Sequence, residues 1–77
     1  MFFLYVYTVA TDNVGDGPVP ISITESDRRA CVNNSLPVIR SLIESEGLDW
    51  DSVTRVEVET EDDPDMDDPE TVTCYAK

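Results

Sequence analysis

Residues 53–77 read VTRVEVETEDDPDMDDPETVTCYAK, two strand-like segments separated by a run of acid. In Val53 to Thr60, Val56 and Val58 alternate with Glu57 and Glu59, the period of a strand with one face buried. Thr71 to Ala76 repeats the pattern, with Val72, Cys74 and Ala76 expected inward and Thr73 and Tyr75 outward. The connection, residues 61–70, is expected to be an acidic loop. Pro64 and Pro69 keep it out of a sheet interior.

Working back along the chain, Gly47 is a helix stop, because glycine adopts the left-handed cap conformation without strain. Before it, Val32, Leu36, Ile39 and Ile43 fall at helical spacing, with Val38 and Leu42 widening the stripe. Pro37 and the capping residues Asn33, Asn34 and Ser35 leave two versions open, one kinked helix or two with a break near Asn34. Thr24 or Ser26 caps the start, and Asp27 sits in the first turn where the helix dipole favours a carboxylate. Leu48 to Asp51 is a connector in which Trp50 closes the core or, with Tyr75, supplies an apolar anchor at a binding rim.

Phe2 to Ala10 (FFLYVYTVA) is a strand apolar on both faces, as in a central sheet position. Gly15, Gly17, Pro18 and Pro20 then make a loop, and the prolines restrict any strand from Pro20 to Thr24 to an edge. The expected fold is a single α+β domain over residues 1–77. A small antiparallel sheet of three or four strands, ββαββ or βαββ, has the helical segment packed on one face. A domain this short buries only roughly 60 to 65% of its unfolded surface, so its stability margin is thin.

Charge is distributed unevenly. Thirteen of the seventeen acids lie between Glu44 and Glu70 against Arg55 alone, so the net charge of −12 sits in about a third of the chain. Such a surface repels phosphate backbones and anionic lipid, which argues against direct nucleic-acid or membrane binding and favours a basic protein partner. FFLYVYTVA is too short to span a bilayer and lacks the basic flank and cleavage site of a signal peptide. A reducing cytoplasm, with Cys31 and Cys74 as free buried thiols, is expected.

Chemistry at neutral pH has few candidates here. The chain has no histidine, and a thiolate at Cys74 beside an acidic hairpin is disfavoured, so no catalytic residue is expected. Asp63, Asp65 and Asp67 open like a calcium loop, but Asp68 stands where the turn needs glycine and Cys74 where a bidentate glutamate belongs. No dedicated metal site and no cofactor are expected, only weak divalent binding. The remaining reading takes the acids as a contact surface formed by Glu57, Glu59, Glu61, Asp62, Asp63, Asp65, Asp67, Asp68 and Glu70. Alternate residues of an extended strand stand roughly 6.6 Å apart, and a second row would approach the phosphate spacing of about 3.4 Å along a nucleic-acid strand. A solubilising or salt-adapted surface on a structural or adaptor domain is the rival, though salt adaptation scatters acids over the whole surface.

With its small size, compact α+β core and localised acidic face, the chain resembles phage-encoded inhibitors of host defence, anti-CRISPR proteins and other DNA mimics among them. The resemblance implies a non-enzymatic inhibitor in the host cytoplasm. Its acidic contacts would occupy the nucleic-acid groove of a CRISPR complex or nuclease. Monomer and homodimer both stay open, because an apolar strand can pair with a second copy across an exposed edge.

Overall fold

The computed structural model describes residues 2–10, 15, 17–60 and 70–77. Four strands, β1 (Phe2–Thr8), β2 (Val19–Ile23), β3 (Val53–Glu59) and β4 (Thr71–Ala76), form one antiparallel sheet in the order β2-β1-β3-β4. Two helices, α1 (Glu25–Val32) and α2 (Leu36–Ser45), and a 3-10 turn (Trp50–Ser52) lie between β2 and β3. The fold is the expected α+β arrangement, with the apolar first strand at the centre of the sheet.

Local sequence accounts for most of the element ends. Thr24 caps α1 by accepting the Asp27 N–H at 3.1 Å, which satisfies one of the free donors of the first turn. Asn34 is left-handed at φ 61°, a conformation asparagine tolerates better than most residues, and it separates α1 from α2. Gly47, also left-handed, ends the helical layer with its N–H donating to the Glu44 carbonyl at 3.0 Å.

One side of the sheet carries the core. Leu4 and Val6 of β1, Ile21 and Ile23 of β2, and Val56 and Val58 of β3 pack with Val53, Cys31, Ile39, Ile43 and Cys74, all of them buried. At about 25 cal/mol per Å² of apolar surface, each fully buried aliphatic side chain contributes on the order of 1.5–3 kcal/mol.

Two expectations are corrected. Val32 and Leu36 do not continue the apolar stripe: they are 36% and 48% exposed, while α1 buries Cys31 instead. A helical stripe holds only while the phase is unbroken, and the left-handed turn at Asn34 resets it. On β4, the pairing Val56↔Tyr75 followed by Glu57↔Thr73 leaves Cys74 as an extra residue, a β-bulge. The bulge keeps Cys74 buried, brings Tyr75 against the Trp50 ring at 4.7 Å between centroids, and leaves Ala76 exposed. Strict alternation fails there because one residue of β3 faces two of β4.

Candidate acidic binding face

Of the nine expected contact residues, the described part of the structure contains Glu57, Glu59 and Glu70. The expectations at Glu61, Asp62, Asp63, Asp65, Asp67 and Asp68 lie outside the described residues. The three that can be placed have three different environments.

Glu59 is not a surface contact. It is only 6% exposed, and its Oε1 accepts the Phe3 N–H at 3.1 Å and the Tyr5 hydroxyl at 3.2 Å. Burial, together with the Glu59 charge and the hydrogen bond to it, pushes the Tyr5 hydroxyl above the usual phenol range. The carboxylate therefore ties the end of β3 to β1. Alternation correctly put it on the sheet face away from the helices, but that face carries Phe3, Tyr5 and Tyr7 of β1, and the aromatic neighbours enclose it.

Glu57, two residues back, is partly exposed and already partnered. Arg55 Nε lies 3.3 Å from its Oε1, and the Thr71 hydroxyl donates to its Oε2 at 3.2 Å. Arg55 is held in turn with its guanidinium 4.1 Å from the Tyr7 ring centroid. A straight row of free carboxylates along β3 is thus absent: one member is buried and the next is paired with a cation.

Glu70 is exposed and stands where β4 begins. Its carbonyl accepts the Thr60 N–H at 3.0 Å and the Thr60 hydroxyl at 3.2 Å. The Thr60 carbonyl accepts from the Arg28 guanidinium, which also pairs with Glu25 at 2.7 Å. The start of α1 is therefore fastened to the end of the β3–β4 hairpin. Sequence reading missed Arg28 in this role, and its signal is weak: a basic residue in the middle of a short helix says nothing about the strand end beneath it.

No family model, curated protein or solved structure matches the chain.

The remaining described acids sit elsewhere. Asp49 caps the 3-10 turn, accepting from Asp51 N–H at 3.1 Å and the Ser52 hydroxyl at 3.1 Å, while Glu44 pairs with Arg40 at 2.6 Å. Together with Glu46 and Asp51 they lie toward the start of β3, and Thr60 and Glu70 lie beyond its other end. Seven extended residues separate the two groups by about 20 Å. Among the described residues, the acids of this window are spread from the start of β3 to beyond its other end.

Among the described residues no three acids or thiols are grouped to hold a metal ion, and no helix is long and apolar enough to cross a membrane. A surface depression of about 440 Å³ along α2 is lined by Pro37, Arg40, Ser41, Glu44 and Ser45. Its single carboxylate is the one paired with Arg40. The two thiols are buried side by side: the Cys74 S–H donates to the Val56 carbonyl at 3.5 Å. The hydrogen bond between the cysteines lowers the Cys31 pKa and raises that of Cys74, which burial raises further.

Proposed function

We propose that the chain is a non-enzymatic binding protein whose acidic β3–β4 connection enters a basic, nucleic-acid-binding groove of a partner protein. The observation that carries this reading is the closing pair Thr60–Glu70. It pins both ends of a nine-residue segment bearing six carboxylates and no base. The two ends of that segment therefore lie together at one end of the sheet. Charge at that density steers a cationic groove and is weakened by salt. Glu70 belongs to this contact set, Glu57 only at the cost of its Arg55 partner, and Glu59 not at all.

A partner of this kind, a CRISPR complex or nuclease in a host cytoplasm, would be inhibited by occupancy of its groove. A second reading draws on the separate cluster from Glu44 to Asp51, whose position about 20 Å away suits acids that only keep the domain soluble.

Replacing Asp62, Asp63, Asp65, Asp67 and Asp68 together by Asn discriminates the two. The binding reading expects lost competition with DNA for the partner at an unchanged melting temperature or a higher one. Unchanged competition would leave the solubility reading.

A further inference from the structure

We infer that the outer edge of β4 at Thr71–Thr73 accepts an extended, basic segment of a partner as a fifth strand. This deepens the reading above and rests on it for the sign of the partner's charge. The sheet has two edges, β2 and β4, and they are built differently. Phe3 turns its N–H toward β3, where Glu59 accepts it. By the alternation of an antiparallel ladder, Leu4 and its partner Ile21 then face each other, and Pro20 and Ser22 face outward. The outward Pro20 has no N–H, and this edge is blunted as exposed edges commonly are.

β4 has no such protection before its bulge. The Thr60 N–H donates to the Glu70 carbonyl, so Glu70 and, two residues on, Val72 face β3. Thr71 and Thr73 therefore turn their N–H and C=O groups away from the sheet, and no described strand pairs with them. Both residues are exposed, as is Val72 at 41%. Two outward residues offer four backbone hydrogen bonds, and Val72 offers an apolar contact on the helix side, the pattern of strand addition.

Charge chooses the occupant. The open stretch lies next to Glu70 and Glu57, at the end of the sheet where the acidic connection is anchored. A second copy pairing antiparallel about Val72 would start its own acidic connection about 13 Å from the first, well inside the Debye length of about 30 Å at 0.01 M salt, so like charge opposes that pairing at low ionic strength. A strand alternating basic and apolar residues meets the carboxylates on one side and Val72 on the other.

The test uses the full chain and the heptapeptide Lys-Val-Lys-Val-Lys-Val-Lys, alongside the same peptide N-methylated at its three central residues, which keeps the charge and removes the pairing. Expected results are binding of the first peptide, at least tenfold slower amide exchange at Thr71 and Thr73, and at least tenfold weaker binding of the methylated peptide. Thr73→Pro, which removes an outward N–H without touching the β3 ladder, should weaken binding of the first peptide similarly. Equal affinity for both peptides with no amide protection overturns the inference. If the Asn variant of the connection loses that binding too, the electrostatic reading survives alone. Protection retained in that variant upholds the edge while removing the connection's role. Protection that grows with protein concentration in the absence of peptide overturns the inference in favour of a second copy.

Discussion

The Tyr5 hydroxyl donates to the Glu59 carboxylate at 3.2 Å across the outer face of the sheet, and the same Oε1 accepts the Phe3 N–H at 3.1 Å. One carboxylate oxygen thus serves two donors on β1. Replacing Glu59 with Ala leaves both without their acceptor in a partly buried site, at a cost of about 1 kcal/mol. Glu59→Gln keeps an acceptor and should cost less. Urea unfolding measures both, and a Glu59→Ala loss no larger than that of Glu57→Ala would contradict the assignment.

Alkaline titration gives a second check with a definite sign. The Tyr5 phenol is raised above its ordinary value of 10.0 in the folded state, so its neutral form is favoured by folding. That contribution is fully present below the unfolded phenol pKa and is lost as pH rises through the folded one. Stability should therefore fall above pH ~10. Tyr5→Phe should flatten the decline. Phenolate absorbance in the native protein should show a late-titrating group that the Phe variant lacks.

The neighbouring thiols should be inert in the folded protein and reactive when it opens. Cys74 is held protonated by its hydrogen bond to Cys31 and by burial, and Cys31, 0% exposed, is the one whose pKa is lowered. Slow alkylation at native conditions, tracking global unfolding at both cysteines alike, is expected. Rapid modification of Cys74 in the native state would contradict its place in the bulge.

Asn34 carries the turn between the helices at φ 61°. Asn34→Ala should destabilise by about 1–2 kcal/mol, since a Cβ disfavours the left-handed region, whereas Asn34→Gly should be neutral or mildly stabilising. Thermal melts of the pair decide it. Equal melting temperatures would show that the turn is not strained.

Periodicity and caps were readable in the chain itself. They placed β3 and β4, a helix start at Thr24 or Ser26, the stop at Gly47 and the central position of the apolar first strand. These follow from local backbone preferences and from which residues must leave water. The bulge at Cys74, the exposure of Val32 and Leu36, the enclosure of Glu59 and the open edge at Thr71 and Thr73 did not follow. Each depends on strand register or on the relative phase of two elements, and a one-residue change in either moves a side chain from one face to the other. The amino-acid order alone determined how much negative charge the protein carries and in which segment. Tertiary structure decided which of those carboxylates are available, because the enclosure of Glu59 beside Tyr5 and the Tyr7 ring that holds Arg55 next to Glu57 are both contacts between β3 and β1.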